Sequence, residues 1–385
     1  MAPSSLERDL SKQRFCWATV LTAACLMAAA CSQGDTFFVG HRNADLPVTV
    51  RGNVSSGVFV VMVAGGPGDT GLAAGQFPIY EQLEKRYGFV YWDQRSAGLA
   101  AGNPSPESLT LADLEGDLRA VIAAVRARYD VRSLFVHAHS WGGEVGTAYM
   151  FDHGDEVDGF INVDGVHDWQ KKWNFGLYAL RDAATAKAAQ GEDPEKWTSV
   201  AAWAESKVDA QLSIEDEQTY FQAWGPIGFD PDLQAIVDKA IGDVTSDWGF
   251  LLFSPFSVAS YLYTNRVNPL LDKINTDPAF FESLNQTDKL GAIRTPTLIL
   301  WGRKDGQVLL SMGQDAYDHL ATADADKKLV IFDGAAHHPM VQVPDAYAAE
   351  IIDFIDAHKR SEFTTSELRS EVKPLPDMDD PFAVR

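Results

Sequence analysis

Six short apolar runs, separated by stretches of helical character, constrain the fold of this chain more than any other feature. The first, Val58 to Val63 (VFVVMV), contains no polar residue. A strand with one wet face would alternate polar and apolar, so an unbroken β-branched run predicts a strand covered on both sides. Phe89 to Trp92 (FVYW), Leu134 to His137, Phe160 to Val163, Thr297 to Trp301 (TLILW) and Leu329 to Phe332 (LVIF) repeat the pattern. From Thr110 to Arg128, Leu111, Leu114, Leu118, Val121, Ile122 and Val125 recur at helical spacing, and Thr110 with Asp113 makes an N-cap pair. Further helices are expected over Gln76 to Tyr87, Gly143 to Asp152 and Ala346 to Ala357, and short strands over Thr36 to Val50 with a turn at Ala44-Asp45-Leu46-Pro47. Alternating strand and helix predicts an α/β fold, a mostly parallel sheet with helices on both faces.

The rhythm stops near Val166, runs helical to Lys289, and then resumes. This divides the chain into a first core segment (35–165), an inserted helical cap (166–290) and a second core segment (291–360). The polar, acidic, proline-bearing tail (361–385) is expected to be poorly ordered. Six of the ten tryptophans fall in the cap: Trp169, Trp173, Trp197, Trp203, Trp224 and Trp248. Most are expected to pack its helices, with one or two left to wall an apolar pocket.

The first residues differ in kind. Arg8, Lys12 and Arg14 precede an uncharged apolar run from Phe15 to Ala30, which is short for a membrane span and suits an export signal. Ala28, Ala29 and Ala30 lead into Cys31, so that residues 1–31 resemble a bacterial lipoprotein signal with Cys31 as the lipidated residue, although Ala28 stands where leucine is usual. A cleaved soluble export signal and an uncleaved anchor are the alternatives. The expected location is therefore outside the cytoplasm, periplasmic or membrane-anchored through that lipid alone. All three cysteines (Cys16, Cys25, Cys31) lie in this leader, which excludes a disulfide framework, a thiolate metal site and a cysteine nucleophile from the body. A net charge of −22 argues against nucleic acid, whose phosphates need a basic surface.

Chemistry concentrates in Val136-His137-Ala138-His139-Ser140-Trp141-Gly142-Gly143. A strand ends, a serine follows with small residues two before and two after, and a helix begins; this is the context of a nucleophile elbow. Serine needs a base and the base an orienting carboxylate. His337, in the loop after the last strand, is the expected base. His338 beside it is expected to pack or line the pocket, and His319 to lie on a helix surface. Asp305, in the turn after Trp301, is the expected acid, with Asp164 as runner-up. Ala64-Gly65-Gly66-Pro67-Gly68 allows close backbone approach to a substrate oxygen, so the N–H groups of Gly66 and Trp141 are the expected oxyanion donors. It lacks the Gly-Lys-Ser/Thr of a phosphate loop. Asp93-Gln94-Arg95 is expected to brace loops, and Glu144 to favour the start of its helix.

Taken together, the GGPG at Gly65 to Gly68, the DQR at Asp93 to Arg95, Ser140, Asp305 and His337 resemble the proline iminopeptidase branch of the α/β hydrolases over roughly residues 58–358. The resemblance implies an α/β-hydrolase fold with a helical cap. It also implies the triad Ser140, Asp305 and His337, oxyanion donors Gly66 and Trp141, and no metal or organic cofactor. The implied activity is cleavage of a small amide or peptide N-terminal residue through an acyl-enzyme, with a small molecule or short peptide as substrate. This chain departs from the pattern at Ala64, where the family has histidine, at Ser96, where it has glycine, and after Trp224, where it has an amine-binding glutamate. The last departure favours an esterase or lactonase on small apolar esters. An inert binding protein on the same fold is the alternative of another class.

Overall fold

In the computed structural model, which describes residues 34–102, 104–245, 262 and 267–360, the chain forms a nine-stranded sheet. The leader with Cys31, the tail 361–385 and Trp248 lie outside the described residues. The strands are β1 (Asp35–His41), β2 (Ala44–Gly52), β3 (Val58–Val63), β4 (Gly88–Trp92), β5 (Ala101–Gly102), β6 (Ser133–His139), β7 (Gly159–Val163), β8 (Thr297–Gly302) and β9 (Lys327–Phe332). Their order is β1-β2-β4-β3-β6-β7-β8-β9, with β5 on β2. From β4 to β9 all pairs are parallel, and β1 and β2 add an antiparallel edge.

The helices are α1 (Gly71–Ala74), α2 (Pro78–Glu84), α3 (Leu111–Arg128), α4 (Gly142–His153), α5 (Trp169–Ala189), α6 (Pro194–Lys207), α7 (Ile214–Gly228), α8 (Pro231–Thr245), α9 (Pro269–Thr276), α10 (Pro278–Ser283), α11 (Leu310–His319), α12 (Pro339–Gln342) and α13 (Pro344–His358). Those from α5 to α10 lie between β7 and β8 in sequence. The VFVVMV run shows why the sheet sits in the middle. All six residues are buried, and they alternate between two cores. Phe59, Val61 and Val63 join Leu114, Leu118 and Val121 of α3 and Val145 of α4; Val58, Val60 and Met62 join Ile79 and Leu83 of α2 and Ile351 and Ile355 of α13. A strand buried on both faces must be apolar at every position.

Thr110 caps α3, its hydroxyl accepting the Asp113 N–H at 3.1 Å. Two expectations change. The first turn lies at Arg42-Asn43, not at Ala44 to Pro47, and both residues take positive φ (46° and 62°) in a two-residue hairpin closed by His41 and Ala44. Asparagine tolerates that conformation, and Arg42 is held by an ion pair to Asp113. Pro47 therefore sits inside β2, where the β4 ladder stops at Trp92, and its carbonyl accepts the Asp93 N–H at 3.2 Å. The helix expected over Gln76 to Tyr87 begins at Pro78, whose fixed φ suits a first helical position, and ends at Glu84. A separate turn of helix, α1, occupies part of the glycine-rich loop before it. Among the described residues no helix is long and apolar enough to cross a membrane.

Candidate active site

Strand β6 delivers Ser140 to the C-terminal edge of the sheet, and α4 leaves from it two residues later. Ser140 takes φ +55°, a left-handed conformation that L-residues avoid. Its N–H donates to Val163 O at 3.0 Å, and its carbonyl accepts from Val166 N and Gly143 N, so the turn is held from both sides. The turn is tight enough that a Cβ on Gly142 would lie 2.2 Å from Val63 O.

Three loops converge on this serine. The Ser140 Oγ lies 2.8 Å from His337 Nε2, and His337 Nδ1 lies 2.7 Å from Asp305 Oδ2. All three residues are buried. The other oxygen of Asp305 accepts the N–H groups of Gln307 (2.8 Å) and Val308 (3.0 Å), which lock the carboxylate in its turn. A serine at a strand–helix turn, hydrogen-bonded to a histidine that is itself bonded to a buried aspartate, has the geometry that a nucleophile, a base and an orienting acid require.

The model of the alpha/beta hydrolase fold family matches residues 58–343. The chain belongs to that family.

This α/β hydrolase resembles solved structures that differ in their named activities. A proline iminopeptidase from Mycobacterium smegmatis has 15% identity and a TM-score of 0.56, with 84% of this chain and 99% of that one covered. A putative lipase from Acinetobacter baumannii AYE has 11% identity and a TM-score of 0.54 (87% and 95% covered), and an esterase from Exiguobacterium antarcticum 15% and 0.50 (84% and 99%). At these identities the likeness is one of fold. No curated protein matches the chain. The protein is a hydrolase of the α/β-hydrolase kind.

The two expected oxyanion residues flank Ser140 on separate loops, and one side chain ties those loops together. Gln94 donates from Nε2 to Ala64 O (3.1 Å) and accepts the Trp141 indole N–H on Oε1 (3.1 Å). Gly66 has φ +114°, and a Cβ there would lie 2.6 Å from Gly68 N, so no other residue fits the loop. A Cβ on neighbouring Gly65 would lie 3.0 Å from Ser140 Cβ. The loop bracing expected of Asp93-Gln94-Arg95 is thus distributed. Asp93 accepts Leu72 N (3.2 Å), Leu99 N (2.6 Å) and Thr70 Oγ1, and burial pushes its carboxyl up to about 6 against the pull of those donors. Arg95 grips Asp117 through two 2.6 Å bonds beneath α3. The departure from family pattern at Ser96 is accommodated with φ +59°.

His139, to which the sequence assigned no role, lies beside His337. Its Nε2–H donates to the His337 carbonyl at 2.9 Å, and its ring stands 5.0 Å from that of His337 and 5.2 Å from that of His338. Burial, reinforced by the neighbouring histidines, holds His139 far below the ordinary imidazole range; burial together with His337 holds His338 at about 3. Both are neutral. The only sequence signal for His139 was its place directly before the nucleophile. Of the other residues weighed, Asp164 lies against Asp305 rather than replacing it, and His319 is half exposed on α11, its ring donating to Asp315 O.

Aromatic rings link the helical segment to the site. Trp169 of α5 stands edge-on to Trp141 at 5.6 Å. Trp173 contacts Tyr220, which stacks on Trp224 of α7, and the Trp224 indole donates to Gly306 O at 2.8 Å, next to Asp305. Lys172 lies over the rings of Trp173 (3.6 Å) and Trp169 (4.5 Å), and burial lowers its ammonium to about 8. Glu144 is fully buried, bonded to Gln286 Nε2 at 2.6 Å, and burial raises its carboxyl well above the ordinary range.

Proposed function

We propose that this α/β hydrolase is a serine hydrolase that transfers a small acyl group to water through an acyl-enzyme. The observation that carries the reading is the continuous chain Ser140 Oγ–His337 Nε2 (2.8 Å) and His337 Nδ1–Asp305 Oδ2 (2.7 Å) at a positive-φ elbow. His337 takes the serine proton as Ser140 attacks the carbonyl. The N–H groups of Gly66 and Trp141 receive the developing oxyanion, and Asp305 fixes the tautomer of His337 and stabilises its charged form. His337 then protonates the leaving group, and water repeats the sequence to release the acid.

On this reading the substrate is a small apolar ester, lactone or amide. The resemblance to proline iminopeptidases supports a peptide N-terminal residue. Two features favour esters instead: no glutamate follows Trp224, and the cation near the site, Lys172, disfavours a substrate bearing a free ammonium. Initial rates on aminoacyl arylamides, including proline, and on short-chain aryl esters decide between them, measured beside Ser140→Ala. The variant is expected to lose at least roughly a thousandfold in kcat. Equal rates for variant and wild type on every hydrolysed substrate would overturn the serine mechanism. We further propose export of the chain and lipidation at Cys31; absence of label on Cys31 after growth with a palmitate analogue would overturn that assignment.

A further inference from the structure

Behind the triad stands a second carboxyl that the mechanism above leaves unused. Asp164 directly follows β7 and takes φ +44°, a second left-handed residue at the same edge of the sheet as Ser140. It has no solvent exposure. Its N–H donates to Leu300 O at 2.9 Å and its Oδ1 accepts the Gly302 N–H at 2.8 Å, so it is pinned to the end of β8, from which the turn to Asp305 departs. No donor among the described residues faces its Oδ2. One oxygen of Asp164, one of Asp305 and a ring nitrogen of His337 all lie within 4.8 Å of one another.

Two buried carboxyls this close cannot both be ionised. Asp305 already receives two backbone N–H groups and the histidine, all of which favour its charged form. Asp164 receives one N–H and has an oxygen without a donor. The proton therefore belongs on Asp164, where it turns the orphaned oxygen into a donor. We propose that Asp164 is a positioning residue, a protonated second carboxyl that donates a hydrogen bond to Asp305 and holds it in register for His337. Among the described residues the other titratable groups around the pair are Lys172 and Tyr220, facing Asp305, Tyr347 on α13, facing Asp164, and Asp69, His139 and His338, facing His337. Burial pushes the Asp164 carboxyl well up, and the charge of Asp305 pushes it the same way.

The role rests on the triad reading, so its test includes a readout that needs no substrate. Wild type, Asp164→Asn and Asp164→Ala are compared by the pH profile of kcat/KM on an aryl ester and by the downfield proton resonance of the His337–Asp305 bond. Asparagine keeps an acceptor for Gly302 and a donor for Asp305. Its acid limb and its proton resonance are expected to match wild type, with most of kcat retained. Alanine removes the donor. Its kcat is expected to fall about tenfold to a hundredfold at unchanged KM. The less shielded Asp305 should also move the acid limb to higher pH. An acid limb in Asp164→Asn displaced to lower pH would show that Asp164 is ionised and would overturn the proposal, as would an alanine variant indistinguishable from wild type. If the alanine variant does not fold, the asparagine profile alone decides. If no ester is turned over, the resonance still tests Asp164, while the triad reading falls on its own evidence.

Discussion

Ser140 illustrates how much of the chemistry is carried by single side chains held against their preference. Its left-handed backbone costs on the order of 1–2 kcal/mol, and the bonds to Val163, Val166 and Gly143 keep it there. Gln94 acts at the same scale. One amide joins the loop of Gly66 to Trp141, so Gln94→Ala should lower kcat about tenfold with little change in KM, less than the hundredfold or more expected for loss of an oxyanion donor itself. A fall in KM and kcat alike would point to a different role. Glu144 gives the pH dependence. Burial raises its carboxyl in the folded protein above the ordinary glutamate range of the unfolded chain, so the group's contribution to stability is present below that range and is lost as pH rises toward the raised folded value. Glu144→Gln does not titrate and can keep the contact with Gln286. The melting temperature of the variant relative to wild type should therefore rise as pH climbs above the ordinary glutamate range; a difference that does not change with pH would sink the assignment.

Elements are positioned by exclusions as much as by contacts. Where α4 crosses β6, a Cβ on Gly146 would lie 2.9 Å from Ala138 Cβ and 2.9 Å from Phe160 Cε2. Ala138 occupies a place where the elbow usually has glycine, and the missing side chain at Gly146, one turn into the helix, makes room for it. Gly146→Ala gains roughly 1 kcal/mol of helix propensity but overpacks the contact by about 1–3 kcal/mol, so thermal melting should move down. In Gly146→Ala/Ala138→Gly the two changes should couple, with the pair less destabilising than the sum of the singles. Simple additivity would remove Ala138 from the explanation. Helices and strands with strong periodicity were legible before the structure: α3, with its Thr110 cap, and β3, alternating between two cores, follow directly from residue spacing. The hairpin at Arg42-Asn43 was not, because Ala-Asp-Leu-Pro carries the stronger local turn signal and only pairing with β1 and β4 draws Pro47 into a strand.

Across the whole molecule, the helical segment between β7 and β8 is fastened to the core beside Asp305. Trp224 Nε1–H donates to Gly306 O, and Lys304 pairs with Asp230 at 2.8 Å. Trp224→Phe keeps most of the packing but leaves the Gly306 carbonyl unpaired, at a cost of about 1–3 kcal/mol. Because Gly306 adjoins Asp305, kcat should drop severalfold along with a melting temperature a few degrees lower. Lower stability at unchanged kcat would confine the bond to a structural role. The sequence by itself determined the alternation of buried strands and helices, and with it the parallel sheet, because a strand covered on both faces must be apolar throughout. It also marked out Ser140, Asp305 and His337, since each follows a recognisable strand and belongs to a chemistry that needs its residue type. Only the tertiary structure decided that Asp164 and Asp305 lie side by side, that His139 bonds the His337 carbonyl, and that Gln94 joins the loop of Ala64 to Trp141. These depend on which strand ends are neighbours, here β6, β7 and β8 in the sheet order, and on the side-chain contacts that follow. Such contacts join residues 30 or more positions apart in every case, and no local pattern encodes them.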